Sequence, residues 1–228
     1  MKILIRILIW FVIVMVFPLE RFSAQAEEKP IDAIVASIQE RYNPIHSIES
    51  NFIQKNFIAA LNQFREFQGK LFLQRPSLFA MEVTSPECQR LVFDGKFFWI
   101  YTASNNQALK NPVAPEFLHH PLISLLTTME DLKRHFHISL AKTNGSFDYS
   151  LTLTLKHLTS DIREVQLTVG KNDFQIKELT FKYDSGNYTQ LALVDTKENP
   201  SIAPEHFQFL PPPETEIVES PTPIVQPQ

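Results

Sequence analysis

The pattern of apolar residues changes from helical spacing to strict alternation near Ile48, and this change organises the chain. Before it, residues 30–42 place apolar side chains three and four positions apart, which predicts one amphipathic helix. The apolar positions are Ile31, Ile34, Val35, Ile38 and Tyr42. Pro30 suits the first helical position, and Asn43-Pro44 ends the helix. Such a helix must lie with its apolar side on another element.

After Ile48, the alternation of apolar and polar residues predicts a series of β-strands. The predicted strands are 48–59, 63–75, 78–85, 89–94, 97–103, 135–142, 148–157, 162–169, 174–184 and 187–196. Asp94-Gly95, Asn144-Gly145 and Ser185-Gly186 supply turn signals between them. Short connections between so many strands predict an antiparallel meander, either closed as a barrel or open and strongly curved.

Three stretches depart from this alternation. We predict an irregular segment over 104–120, a short helix over Pro121 to Leu126, and one helical turn from Asp131 to His135. Residues 211–228 are rich in proline and acidic residues, which predicts an extended or disordered tail.

The first 26 residues have the pattern of a cleaved signal peptide. Lys2 and Arg6 precede an apolar run from Ile7 to Phe17, and Ala24-Gln25-Ala26 resembles a cleavage site. A membrane span needs about 20 apolar residues, so the run favours cleavage over anchoring. We therefore expect an exported chain with a single domain over 27–210 and a tail over 211–228.

Charge and cysteine content narrow the function. The formal net charge is −4, and the mature chain is more acidic because the leader carries Lys2, Arg6 and Arg21 against Glu20 alone. Such a chain lacks the basic surface of proteins that bind nucleic acid or anionic membranes. Cys88 is the single cysteine and cannot form an internal disulfide. The 19 phenylalanines could fill a core or line a cavity.

The sequence offers little catalytic chemistry. His119-His120 and His135-x-His137 could suggest metal, but no cysteine or compact carboxylate set accompanies them. No phosphate-binding loop, nucleophile elbow or H-E-x-x-H motif occurs. We therefore expect no enzyme, no metal and no cofactor. A secreted hydrolase that uses a histidine and a carboxylate is the alternative, and the lack of a nucleophile motif disfavours it.

Four blocks of sequence, taken in order, are similar to one known family. Two of them are the series G-x-L-x-x-x-R-P-x-x-F from Gly69 and L-V-x-D-G-K-x-x-W-x-Y from Leu91. The others are N-F-I-Q-K from Asn51 and F-x-F-x-P-P from Phe207. Together they resemble the LolA family of periplasmic outer-membrane lipoprotein carriers, over most of residues 30–218.

The resemblance implies both a fold and a role. It implies a mainly β (α+β) fold, an open and strongly curved antiparallel half-barrel of about 10–11 strands, with short helices as a lid over an apolar cavity. It also implies a monomeric carrier that accepts lipoproteins from an inner-membrane ABC transporter, shields their acyl chains and delivers them to an outer-membrane receptor. The alternative is a periplasmic regulatory domain of the same fold that senses lipids or lipoproteins.

Arg75 is the sharpest candidate among individual residues. Its alternation places it on the face of Leu71 and Leu73, where a lone cation needs a partner. The resemblance implies that Arg75 holds the lid by hydrogen bonds to lid backbone, with acceptors expected in residues 121–127. A surface ion pair with Glu82 or Asp94 is the alternative role.

Two further sets of residues follow from alternation and resemblance together. Apolar residues expected to line the acyl-chain cavity are Leu71, Leu73, Phe79, Met81, Val83, Trp99 and Tyr101. Those expected on the lid are Ile34, Val35, Ile38, Leu122, Ile123 and Leu126. Packing in an ordinary core is the alternative for the individual members of both sets.

Overall fold

The computed structural model describes residues 30–113, 125, 129, 132–141, 147–157 and 161–219. The proposed signal peptide lies outside these residues, as do residues 220–228 of the predicted tail. No helix among the described residues is long and apolar enough to cross a membrane.

The predicted first helix is confirmed as α1, Ile31–Tyr42. Pro30 comes immediately before it, and the N–H of Asn43 donates to the carbonyl of Gln39 at the other end. The apolar side chains Ile34, Val35 and Ile38 are almost completely buried. The second described helix, α2, is the short turn Leu132–His135, which matches the helical turn predicted there.

Twelve strands form one sheet in the described part of the chain. They are β1 Ser47–Ile58, β2 Gln63–Gln74, β3 Leu78–Ser85, β4 Gln89–Phe93, β5 Phe97–Thr102, β6 Gln107–Pro112, β7 Phe136–Leu140, β8 Asp148–Leu155, β9 Ile162–Gly170, β10 Ile176–Tyr183, β11 Tyr188–Glu198 and β12 Glu216–Glu219. Their order is β12-β6-β5-β4-β3-β2-β1-β11-β10-β9-β8-β7. The edges β12 and β7 do not pair, so the sheet is open.

Alternation of residues did not predict β6 or β12. Residues 104–120 were expected to be irregular, yet Gln107–Pro112 pairs with the whole of β5 in an antiparallel register. Glu216–Glu219 belongs to the segment expected to be extended or disordered, and it pairs with β6 in parallel. Both strands are short and have little apolar alternation, and their place in the sheet depends on neighbours distant in sequence.

The two faces of the sheet pack against different parts of the chain. The inner face, as we define it, carries α1, and its buried cluster joins residues of β1, β2, β3, β7, β8, β9, β10 and β11. Because Met81 of β3 and Leu153 of β8 belong to this one cluster, the sheet curves around α1. The outer face carries a smaller buried cluster, which the segment with Phe207 and Phe209 covers.

Candidate functional site

Strands β2 and β3 supply one wall of the inner face. Leu71 pairs with Met81 and Leu73 pairs with Phe79, while Gly69 pairs with Val83. Paired residues in an antiparallel sheet point to the same side, so these side chains share a face. Leu71, Met81 and Val83 are buried in the inner cluster, and Leu73 and Phe79 pack against it. Five of the seven residues expected to line a cavity therefore lie together under α1.

Trp99 and Tyr101 lie on the outer face, so the expectation that they face inward is wrong. Trp99 pairs with Val92, which in turn pairs with Ala80 of β3. Ala80, Val92 and Trp99 therefore lie side by side on neighbouring strands. Ala80 is one residue away from Met81, and neighbouring residues of a strand point to opposite faces. The Trp99 ring lies 5.2 Å from that of Phe209, and the Tyr101 ring lies 5.4 Å from the same ring. Trp99 and Tyr101 do share one side of β5, as predicted. Which face of the sheet that side belongs to depends on how β5 pairs with β4, and β4 with β3.

The lid prediction divides into a described and an undescribed half. Ile34, Val35 and Ile38 of α1 lie in the inner cluster and are at most 1% exposed. Leu122, Ile123 and Leu126 lie outside the described residues. Sequence reasoning missed three buried residues near them, Leu125, Met129 and Leu132, which belong to the same cluster. Their spacing of four and three residues was the signal that could have identified them.

A small cavity remains between the end of α1 and the sheet, and the about 490 Å³ of non-atom space around it includes open solvent. Its lining is almost entirely apolar and comes from both halves of the sheet. The lining residues are Tyr42, Ile48, Leu71, Leu73, Met129, Ile176, Leu179, Leu191, Leu193 and Thr196. A cavity of this chemistry suits an alkyl chain better than a polar ligand.

Arg75 follows β2 directly and reaches the C-terminal end of α1. Its Nη2 donates to the carbonyl oxygen of Tyr42 at 2.8 Å, and its Nη1 donates to that of Asn43 at 3.0 Å. The last carbonyls of a helix have no partner within the helix, so the guanidinium satisfies groups that α1 leaves open. The acceptors expected in residues 121–127 fall outside the described residues, apart from Leu125, and stay a prediction.

The two carboxylates considered as ion-pair partners for Arg75 have other contacts. Glu82 lies on the outer face, 3.7 Å from Arg90 and 3.0 Å from His206. Asp94 accepts hydrogen bonds from the N–H groups of Lys96 and Phe97 and from the indole of Trp99. Its role is therefore to hold the β4–β5 turn.

Tyr42 ties the same end of α1 to the other half of the sheet. Its hydroxyl oxygen accepts a hydrogen bond of 2.9 Å from the N–H of Ile176, the first residue of β10. Burial raises the pKa of the Tyr42 phenol above its usual value, because the phenolate would lose its hydration. Next to it, Arg41 pairs with Glu198 of β11. Three strands thus hold the C-terminal turn of α1.

Before its C-terminal turn, α1 has fewer polar contacts among the described residues. Asp32 forms an ion pair with Lys133 of α2 at 2.7 Å, and both side chains are mostly exposed. Gln39 donates to the carbonyl oxygen of Met129 at 3.3 Å. Exposed ion pairs contribute little to stability, so apolar packing holds most of this part of the helix.

Comparison with known proteins identifies the family. The family described as "Outer membrane lipoprotein carrier protein LolA" matches residues 43–210, which is well over half of the chain. The chain belongs to the LolA family. The match begins at the end of α1 and ends before the proline run that leads to β12.

Named relatives of this LolA-family chain agree with the assignment. An outer-membrane lipoprotein carrier protein of Methylobacillus flagellatus is 27% identical over 185 residues, covering 81% of this chain and 88% of the relative. Another, from Azotobacter vinelandii, is 23% identical over 196 residues, with coverage of 86% and 91%. An uncharacterized conserved protein from Thermus thermophilus has a similar fold, with a TM-score of 0.51 at 13% identity over 83% of this chain and 98% of that one.

The family signature corresponds to separate structural roles in this LolA-family chain. Gly69 lies against the backbone of β3, where a Cβ atom would overlap the carbonyl of Glu82. Arg75 binds the end of α1, and Gly95 has a φ of +94° in the β4–β5 turn. In the described part of the chain, no three histidine, cysteine or carboxylate side chains lie close enough together to hold a metal ion.

Proposed function

We propose that this LolA-family chain is a binding protein, with no catalytic role, that carries lipoproteins across the periplasm. One observation carries the proposal: α1 covers an apolar inner face and is fastened by polar bonds chiefly at its C-terminal end. Family membership supports the same role, since the named relatives are outer-membrane lipoprotein carriers. The alternatives of a lipid sensor and a hydrolase have no comparable support.

Exposing the acyl chains of a lipoprotein to water costs free energy, and a carrier must remove this cost. Each methylene group transferred out of water is worth about 0.8 kcal/mol, so an acyl chain of about 16 carbons represents on the order of 10 kcal/mol. A lipoprotein therefore crosses an aqueous compartment only if its chains are covered. The inner face of the sheet provides apolar surface of the right kind in Leu71, Leu73, Phe79, Met81 and Val83.

The inner face is occupied by the protein's own side chains in this structure. Ile34 and Ile38 have no exposed surface, and Val35 has 1%. The small cavity under α1 has no room for several acyl chains while α1 stays in place. We therefore propose that α1 lifts away from the sheet when cargo enters, which breaks the hydrogen bonds of Arg75 to its C-terminal turn.

Arg75 is then the latch of this lid. Its two hydrogen bonds favour the closed position of α1. When cargo leaves, reforming these bonds helps α1 return to the sheet. A closed state with its own favourable contacts opposes cargo binding and promotes release.

The remaining parts of the proposal concern location and partners. We propose that residues 1–26 direct export to the periplasm and are removed. The carrier then works as a monomer between an inner-membrane lipoprotein-releasing ABC transporter and an outer-membrane lipoprotein receptor. Its cargo is acylated lipoprotein, and its action needs no cofactor.

Native mass spectrometry of the full chain purified from the periplasm tests this function. A carrier should co-purify with intact triacylated lipoprotein. Free phospholipid or fatty acid without lipoprotein would point to a different lipid shuttle or a sensor, and the proposal would then be wrong. Hydrolysis of an added ester substrate by the purified chain would also contradict it.

A further inference from the structure

Strand β12 covers an edge of the sheet that would otherwise be open. It pairs in parallel with β6, with Glu216 opposite Gln107, Ile217 opposite Ala108, Val218 opposite Leu109 and Glu219 opposite Lys110. The other pairings in the described sheet are antiparallel. Without β12, one side of β6 would present unpaired N–H and C=O groups, which can accept another extended chain.

Polar side chains of the edge reinforce the backbone pairing. Lys110 Nζ lies 2.8 Å from Glu219 Oε1, and Gln107 Nε2 donates to Glu216 Oε2 at 3.1 Å. Asn106 precedes β6, and its carbonyl oxygen accepts a hydrogen bond of 3.0 Å from the N–H of Glu216. Lys110 Nζ also lies 4.4 Å from the centre of the Phe97 ring and 5.4 Å from that of Trp99. The edge thus offers one cation and one amide at fixed spacing.

The cover itself is lightly held. All four residues of β12 are exposed, including Ile217 at 45% and Val218 at 40%. Three consecutive prolines, 211–213, connect it to the domain, and the family match ends at residue 210. A four-residue strand with little buried surface is the kind of element that opens locally at low free-energy cost.

We propose that the edge of β6 is a strand-addition site for an extended acidic segment of a partner protein, and that β12 occupies this site within the chain. The partner segment would pair in parallel with β6 and carry two carboxylates three residues apart. The carboxylate nearer the N-terminus of the segment would bind Gln107, as Glu216 does. The carboxylate three residues later would bind Lys110, as Glu219 does. Backbone pairing supplies affinity in this mode, and side chains supply specificity.

This site is separate from the cavity under α1. Lys110 lies opposite Trp99, which belongs to the outer-face cluster, while the proposed cargo side chains lie on the inner face. The inference does not rest on the proposed lipoprotein function, and its test uses no lipoprotein. Failure of either proposal therefore leaves the other standing.

Two proline substitutions in the full chain test whether β12 can leave β6 and expose its edge. Since the N–H of Glu216 faces β6, alternation turns the N–H of Val218 towards β6 and that of Ile217 away from it. Val218→Pro removes an N–H from the pairing, whereas the matched control Ile217→Pro removes one that faces away. In the first variant, hydrogen exchange should become faster at the Ala108 and Lys110 amides, whose N–H groups face β12, and stay unchanged in β1 and β2.

The probe is a fluorescein-labelled peptide with the sequence of residues 213–220, P-E-T-E-I-V-E-S, and the readout is fluorescence anisotropy. The Val218→Pro chain should bind it at least tenfold more tightly than the parent chain or the Ile217→Pro control. Adding Lys110→Glu should weaken binding about tenfold, and a peptide with Glu219→Lys should restore it.

Several results would overturn the proposal. No binding by the Val218→Pro chain, or equal binding by all three chains, would mean that β6 does not accept a strand. Unchanged protection of Ala108 and Lys110 would mean that β12 is not a detachable cover. Dimerisation of the parent chain that Val218→Pro abolishes, seen by sedimentation, would assign the edge to a second copy of this chain.

Discussion

Arg75 Nη2 donates a hydrogen bond of 2.8 Å to the carbonyl oxygen of Tyr42 and so joins the end of β2 to the last turn of α1. The outer face uses a similar device. There, Arg90 Nη2 donates to the carbonyls of Glu205 at 2.7 Å and His206 at 3.2 Å, in the short 3-10 turn Pro204–Phe207. One arginine thus fastens a helical segment to each face, and the pair gives a matched comparison.

The first prediction concerns the latch. Arg75→Leu should give a folded protein that binds lipoprotein but transfers it poorly, because the closed state loses its hydrogen bonds. Hydrogen bonds with a charged donor contribute about 1.5–3 kcal/mol when buried, and less here because Arg75 is half-exposed. Transfer of labelled lipoprotein to the purified receptor measures the effect. Arg90→Leu is the control and should transfer normally; normal transfer by Arg75→Leu would refute the latch.

The second prediction separates the two faces. Leu73 packs on the inner cluster and Leu78 on the outer one, and both are half-buried on neighbouring strands. Leu73→Glu should place a carboxylate in the proposed cargo surface and reduce retention of lipoprotein at least tenfold. Leu78→Glu should keep normal retention. Co-purification from the periplasm, quantified by mass spectrometry, provides the measurement, and equal retention by the two variants would disprove the assignment of faces to functions.

The third prediction concerns the hydroxyl of Tyr42. Tyr42→Phe should lower the free energy of unfolding by about 1–3 kcal/mol, because the buried N–H of Ile176 loses its acceptor. Urea denaturation followed by circular dichroism measures this loss. The control is Tyr101→Phe, whose hydroxyl donates to Asn106 in a partly exposed place, and we expect a smaller loss there. A loss no larger than that of the control would show that Tyr42 does not anchor α1.

The fourth prediction is a loss of stability at high pH. The pKa of Tyr42 is raised in the folded state by burial, so the unfolded chain releases this proton first as pH rises. Stability from the neutral phenol is therefore complete below about pH 10, the ordinary pKa of tyrosine, and is lost as pH rises towards the folded-state pKa. The slope from this group reaches at most about −1.4 kcal/mol per pH unit. Urea denaturation between pH 9 and 11 should show a shallower decline for Tyr42→Phe; parallel curves would contradict this.

The fifth prediction concerns the contact between β2 and β3 at Gly69. Gly69→Ala should destabilise the protein by about 1–3 kcal/mol, because the new Cβ would overlap the carbonyl of Glu82 and push β3 away. The neighbouring substitution Lys70→Ala, at an exposed position, should change stability by less than about 0.5 kcal/mol. Thermal unfolding of both variants provides the comparison, and an unchanged midpoint for Gly69→Ala would show that the strands can adjust.

The extent of prediction from sequence differs between elements for physical reasons. Helix α1 and most strands were predicted correctly, since local periodicity reports which side of an element is apolar. Strands β6 and β12 were missed because Gln107–Pro112 and Glu216–Glu219 have little apolar alternation. For Arg75, hydrogen bonds to helix backbone were predicted, and the bonds to Tyr42 and Asn43 at the end of α1 are of this kind. The acceptors expected in residues 121–127 stay a prediction, because spacing alone does not say which helix end lies near the arginine.

The sequence by itself determined the local elements, the apolar side of each and, through its motifs, the family. It could not determine which side of β5 faces the same way as Met81 of β3, so Trp99 and Tyr101 were assigned to the wrong face. Only the pairing of strands decided that, because parity is local while the face of a strand depends on its partners. Tertiary structure also brought Arg75 to Tyr42 and Glu219 to Lys110, since such contacts depend on how the whole sheet curves and closes its edge.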